Sequence, residues 1–445
     1  MTATANPTTA RSLQQIAPNV TSRVKEGDLA KAQMGLIGVG ALLAILGFMS
    51  DLFSDHAHGA LSYLVGYMGV LGIVLCALFF TMIQHITRAG WSVSVRRLAE
   101  NMTGTLPFFL LLFIPIIIGF DDIYGHWTHA NITDPTAANY DSVLAGKSSY
   151  LNKEFFFVRV GIYFAIWIAL ATFFRKTSIK QDESGDPALT MKMARVAAPG
   201  LLLFALTITF AAFDWIMSID PHWFSTIFGI TFFAGGFMSF LAFTILLSKW
   251  LNSRGYYKEA INTEHYHDLG KLMFSFMIFW TYTNFSQYML IWYANLPEET
   301  QWFTHRTIHG WGTIGTALIL GHFAFPFVFL LSRNVKRHKI GLPVGAVAML
   351  LVHCLDMQFL ILPSGLHGHE AGEGGDGGAI AAVADGHDGA GGFAEYLGQI
   401  GWADYGCFIG LLLVLAGLTI MNVRRTNLIP LRDPRLSESI NFENF

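Results

Sequence analysis

Charge is what this sequence has least of. Only 13% of its 445 residues are Asp, Glu, Lys or Arg, against roughly 25% in soluble domains. The net charge is −3, and no basic block is present to grip a phosphate backbone, so nucleic acid is excluded as a partner. Cysteine is also scarce. Cys76, Cys354 and Cys407 lie far apart in apolar runs. No C-x-x-C or C-x-x-C-H occurs, which argues against iron–sulfur ligation and c-type haem attachment. The absence of a G-x-x-x-x-G-K-[ST] loop argues against nucleotide hydrolysis. The first 30 residues are polar, and no removable signal peptide is predicted.

Apolar residues are what the chain has instead: 53% of it is hydrophobic and the mean hydropathy is +0.45. The pattern predicts an all-α polytopic membrane protein with ten transmembrane helices, at 34–53, 61–83, 106–120, 155–174, 196–217, 225–248, 270–293, 311–332, 341–361 and 405–422. Residues 1–33 form an N-terminal tail, 34–422 the membrane domain and 423–445 a C-terminal tail. The third span contains Pro107 and Pro115, which a membrane helix tolerates where neighbours satisfy the freed carbonyls. Alternate connections and both tails collect 24 of the 28 lysines and arginines. The other connections are acidic or carry histidine. By the positive-inside rule both termini are cytoplasmic, and an odd number of helices would break the alternation. Of the periplasmic connections, 363–404 is low in complexity, rich in Gly, Ala, Asp and His. Such a run cannot build a core and reads as a solvated loop, with His367, His369 and His387 as weak metal ligands at most.

The seventh span is the least uniform. Thr263 to Thr300 reads TEHYHDLGKLMFSFMIFWTYTNFSQYMLIWYANLPEET. At ~100° per residue, Thr281, Asn284 and Tyr288 share a face. Polar groups at membrane depth need partners, so this face is expected to look inward. It serves either as hydrogen-bonding glue between helices or as a track for protons or a quinone headgroup. Ionisable groups inside spans are functional candidates. His322 and His353 fall at similar depth, roughly 15–18 Å from the inner face at 1.5 Å per residue. Asp356 shares a face with His353. A short loop joins spans eight and nine, so they are expected to be antiparallel neighbours. The bland alternative is a set of buried histidines satisfied by carbonyls or by Asp356. A histidine pair at equal depth also permits axial ligation of a b-type haem, but such proteins usually offer two pairs and this chain offers one.

Towards the cytoplasmic face, His265, His267 and Asp268 can take up protons, since histidine titrates near neutrality. They are equally compatible with an ordinary solvated loop. Arg159, the one cation at the outer edge of a span, is expected to pair with an acid near that face: Asp51, Asp121, Asp122, Asp214, Asp220, Glu298 or Glu299. Asp214 and Glu298 are the candidates for the outer end of a proton path. They are also the candidate bases of a quinol site, if this chain binds quinol itself. The tryptophans beside Asp214 suit an interfacial aromatic belt. A stand-alone secondary transporter is a further reading. Transporters favour matched broken helices in both halves, and the prolines here show no clear pair.

The stretch HYHDLGKLMFSFMIFWTYTNFSQYMLIWYANLPEET, together with FAAFDWIMSIDPHWFSTIFG and VHCLDMQFLILPSG, resembles the ActF family of integral membrane subunits of bacterial alternative complex III, within the wider NrfD-like family. The likeness covers residues 30 to 430 or so. It implies two four-helix bundles, spans 2–5 and 6–9, with spans 1 and 10 added. It implies a quinol-oxidising complex of the bacterial cytoplasmic (inner) membrane that passes electrons to a periplasmic cytochrome c or similar acceptor. The implied partners are an ActC-like membrane subunit expected to hold quinol, a multihaem cytochrome c and an iron–sulfur subunit. No redox cofactor is implied for this chain. Haem c and iron–sulfur clusters belong to the partners, quinol or quinone remains possible here, and the suggested role is a proton pathway. The stretch 364–392 looks like an insertion beyond the family pattern.

Overall fold

The computed structural model describes residues 22–50, 58–137, 139–258, 260–367 and 393–444. The expectations for Asp51, His369, His387 and the side chain of His367 lie outside what is described. All regular structure among the described residues is helical. The main elements are α1 (Ala30–Phe48), α2 (Gly59–Ile86), α3 (Val93–Thr103), α4 (Leu106–Leu111), α5 (Ile114–Ile118), α6 (Lys153–Ser184), α7 (Ala188–Trp215), α8 (Phe228–Ser253), α9 (Thr263–Ala294), α10 (Pro297–His305), α11 (Trp311–Leu318), a π turn (Ile319–Ala324), α12 (Phe325–Leu331), α13 (Gly341–His367), α14 (Trp402–Arg425) and α15 (Leu436–Ile440).

Nine helical stretches among the described residues are long and apolar enough to cross a membrane, so the chain has the build of a multi-pass membrane protein. Each of them overlaps an expected span, and most run past it at one end or both, because polar terminal turns stay helical. The exception to apolarity is α9. It has 32 residues, capped by Asn262 at one end and by Asn295 in the left-handed conformation at the other. Its Ser, Thr, Asn and Gln content leaves it outside the nine.

Helix α2 is the axis of the molecule. It is buried along almost its whole length and packs on α3, α7, α8, α13 and α14. Helices α1 and α14 pair closely because glycines let their backbones touch. A Cβ at Gly40 would sit 2.4 Å from the Gly410 carbonyl oxygen, and one at Gly410 2.7 Å from that of Gly40. Small residues of this kind replace the missing hydrophobic drive between helices in lipid.

The third crossing differs from expectation. Its helix begins at Val93 and breaks before Pro107 and Pro115, each of which opens a new segment. Proline lacks the N–H of a helix interior, so first-turn positions suit it. Arg96 and Arg97, counted among the cations of the connection between the second and third expected spans, are buried in α3 together with Glu100. Arg96 pairs with Glu100 at 3.3 Å and with Asp433 at 2.5 Å. Arg97 pairs with Glu100 at 3.3 Å and with Asp182 at 2.8 Å. Asp433 belongs to the C-terminal segment, which folds back after α14. Asn427 and the Leu431 amide bind Asp182, and Ser439 bonds Ser94.

Candidate functional site

Two buried histidines with unused bonding capacity, His322 and His353, lie in the middle of the π turn and α13, beside α8 and α9. Pro326 cannot donate a helical hydrogen bond to the carbonyl of His322. Just before it the chain widens into a π turn, Ile319–Ala324, that carries His322. Such turns often occur at functional sites. His322 is fully buried, and neither ring nitrogen has a hydrogen-bond partner among the described residues. Its ring centroid lies 3.7 Å from that of Trp280. The Trp280 indole N–H donates to Asp356 Oδ2 at 3.1 Å. His353 shares a 3.3 Å contact between Nε2 and the Gly69 carbonyl, and its Nδ1 has no partner among the described residues. Gly235 of α8 supplies the open side of the site. A Cβ there would lie 3.4 Å from Trp280 Cδ1 and 3.5 Å from both Asp356 Oδ2 and His353 Nδ1. The structure therefore brings His353 and Asp356 together at Gly235 and links His322 to them through the Trp280 ring. It adds Trp280, which the sequence reading missed.

The inward face of α9 is not the expected one. Thr281 and Asn284 are half-buried, and Tyr288 is 48% exposed. Thr281 donates to the Met277 carbonyl and Asn284 to that of Trp280, so both satisfy themselves on their own helix. Tyr288 stands edge-on to Phe303. The buried line runs through Met273, Met277, Trp280, Thr283, Gln287 and Ile291. The polar residues were correctly placed on one face, but bulk decides which face turns in. Trp280 buries more surface than Thr281 and carries an N–H that needs a partner. Gln287 then reaches Ser225 Oγ at 3.1 Å.

The group at the start of α9 is structural in its contacts. Asn262 accepts from the Glu264 and His265 amides, and its own amide donates to His265 Nδ1. His265 Nε2 meets Ser439 Oγ at 3.1 Å, and its ring packs on Phe442. Burial pushes His265 down to about 4, away from the neutral range assumed for proton uptake. Burial, with Lys271 alongside, also holds His267 below its ordinary value. Asp268 is bound by Lys271 at 2.5 Å and Asn444 at 2.9 Å.

At the far side, Arg159 does pair with an acid: its Nε donates to Asp214 Oδ2 at 2.7 Å. Tyr163 donates to the same oxygen. Asp214 thus belongs to α6 and α7, whereas Glu298 is exposed in the first turn of α10. They share no contact, so the outer end expected from this pair is not assembled. Instead, polar groups cluster where α2, α13, α14 and the short helix Phe393–Gln399 meet. Tyr396 donates to Gln358 at 2.8 Å and meets Tyr405. Asp404 accepts from Ser62 at 2.7 Å and lies 2.9 Å from His58 Nε2. Arg306, also missed, donates to the carbonyls of Trp302, Phe359 and Leu360 and to the Ser364 hydroxyl. Pro363 leaves the Phe359 carbonyl without a helical donor, and the arginine fills that role. Comparison with family models and with curated proteins finds no match.

Proposed function

We propose that this chain is a membrane subunit of a quinol-oxidising complex of the bacterial inner membrane, one that carries protons and anchors redox partners without a redox cofactor of its own. The observation that carries this reading is the meeting of Asp356 and His353 at Gly235, with His322 against the Trp280 ring that binds Asp356, deep between helices and with ring nitrogens of both histidines without a partner among the described residues. A proton relay needs groups that bind and release protons within hydrogen-bond reach, directly or through water. Purely structural histidines would be expected to have spent both nitrogens. The sequence resemblance to ActF-type subunits supplies the quinol, the multihaem cytochrome, the iron–sulfur subunit and the ActC-like partner.

In this reading residues 270–293 of α9 form a tenth span, both termini are cytoplasmic, and two four-helix bundles carry α1 and α14 as additions. The exposed aromatic end of α9, with Phe285, Trp292 and Tyr293, is the surface offered to membrane partners. Outward transfer runs towards Gln358, Tyr396 and Asp404 rather than Glu298. The test is Asp356→Asn, which keeps size and hydrogen bonding but removes titration. Reconstituted complex is assayed for quinol oxidation and for pH change inside liposomes. The expected outcome is intact assembly with a lowered proton-to-electron ratio. An unchanged ratio at unchanged turnover sinks the role of Asp356. Topology is checked separately by thiol labelling: Gly146→Cys is expected to react from the periplasmic side and Lys339→Cys only from the other.

A further inference from the structure

The surface of α6 carries a groove that the site above does not use. Its volume is about 590 Å³, within the roughly 300–1,000 Å³ range of ligand pockets. Leu110 of α4 forms one wall. Gly161, Phe164, Ala165, Ile168, Ala169, Thr172 and Phe173 of α6 line the rest, almost wholly with apolar atoms. Gly161, Ala165 and Ala169 recur at the four-residue interval that keeps side chains on one helix face, so the floor is low because those side chains are small. From Gly161 to Phe173 the groove runs ~18 Å at ~1.5 Å per residue. That matches one leaflet, about half of the ~30 Å hydrocarbon core.

The two ends of the groove differ. At Phe173 it opens among cations. Lys192 Nζ lies 5.7 Å from the Phe173 ring centroid, and Lys176 follows Thr172 by one turn on the same face. Lys176, Lys180, Lys192 and Arg195 are all exposed. The acids of the same stretch offset them only in part. Asp182 is taken by Arg97, Asp186 accepts from the Ala188 amide, and Glu183 stays exposed. Arg175 turns away to Asn422. Beyond Gly161 the low floor ends, and Val158 and Ile162 stand out at 55% and 49% exposure. A partner's membrane helix would need a seat along about 20 residues, and this one spans a single leaflet.

We propose that the groove holds an acyl chain of an anionic phospholipid in the leaflet nearer Lys176, with its phosphate headgroup bound by Lys192 and Lys176. The apolar trough selects the chain and the unpaired lysines select the charge. The proposal is independent of the proton pathway. Its test uses the full chain in detergent, offered phosphatidylglycerol and phosphatidylcholine with identical acyl chains, with retained lipid read by native mass spectrometry. Phosphatidylglycerol is expected to be kept preferentially. Lys176→Gln and Lys192→Gln each weaken it roughly fivefold, the equivalent of about 1 kcal/mol per cation near a bilayer surface, and leave phosphatidylcholine unchanged. Ala165→Phe with Ala169→Phe fills the trough and lowers retention of both lipids. Wild-type protein is also cross-linked in membranes with a diazirine-bearing phosphatidylglycerol, which needs no variant to fold. Labelling within 161–173 supports the proposal. Equal retention of the two headgroups, no effect of filling the trough, labelling elsewhere, or a protein helix captured at Ala165 in the assembled complex overturns it.

Discussion

Two of the buried polar regions of this protein are built in opposite ways. Around α3, full charges face opposite charges: Arg96 and Arg97 lie between Glu100, Asp182 and Asp433. Around Gly235, the groups can exist uncharged, and nitrogens of His322 and His353 face no partner among the described residues. Charges taken out of water must be matched, or each costs several kcal/mol. A matched cluster therefore fixes geometry, here by tying the C-terminal segment to α3 and α6. Unspent donors and acceptors fix less and leave chemistry open. The contrast separates the part that holds the fold from the part that is a candidate to work.

The largest effect should come from breaking the matched cluster. Arg97→Met leaves Asp182 and Glu100 buried with less compensation, and loss of one partner from a buried pair costs about 3–5 kcal/mol. The expected result is a sharply lower thermal midpoint in detergent and release of the C-terminal segment to protease. If Arg97→Met were as stable as the parent, the cluster would not be what holds the tail.

The next effect is pH-dependent and arises where the same tail meets α9. His265 is uncharged in the folded protein because burial pushes it down to about 4, whereas an unfolded histidine titrates near 6.5. Asp268 and Glu264 face it and oppose the shift without cancelling it. Between those values the unfolded chain binds a proton that the folded chain refuses, so stability falls as pH drops from about 6.5 to about 4. The loss approaches roughly 3 kcal/mol, at about 1.4 kcal/mol per pH unit. His265→Gln removes this term. The difference in melting temperature between parent and variant should shrink as pH falls through that window, and a constant difference would contradict it.

Much of this was legible in the sequence, and the misses have physical causes. Hydropathy marks lipid-crossing helices because exposed backbone is not tolerated in hydrocarbon, and their place inside apolar runs was enough to single out His322 and His353, both of which are buried. Arg159 found its acid because a cation at a span edge has few alternatives. Arg96 and Arg97 were left in a connection because hydropathy scores residues singly, and burial by mutual pairing involves Asp182 and Asp433, far along the chain. A sign was present: in RRLAE the acid stands three and four residues from the arginines, the spacing of helical ion pairs. Trp280 was overlooked as an apolar residue, although its N–H makes it a tether for Asp356. Asp214 and Glu298 were joined by depth alone, and depth does not say which helices are neighbours.

The smallest effects should separate the two sides of α9. Thr281 and Asn284 spend their side chains on their own helix's carbonyls at half-exposed positions. Replacing a self-satisfied surface group with an apolar isostere is nearly neutral, within about 0.5 kcal/mol. Thr281→Val and Asn284→Leu should therefore leave melting temperature unchanged and, under the proposed function, proton movement as well. Thr283 and Gln287 lie on the buried side, one turn and two turns from Trp280. Gln287→Leu leaves Ser225 Oγ without the amide oxygen it donates to, and stranding a partly buried hydroxyl costs about 1–3 kcal/mol. A measurable loss of stability is expected there and in no variant of the outward pair. If Asn284→Leu were the damaging change instead, the polar face read from periodicity would be the working one, and the site would have to be redrawn around it.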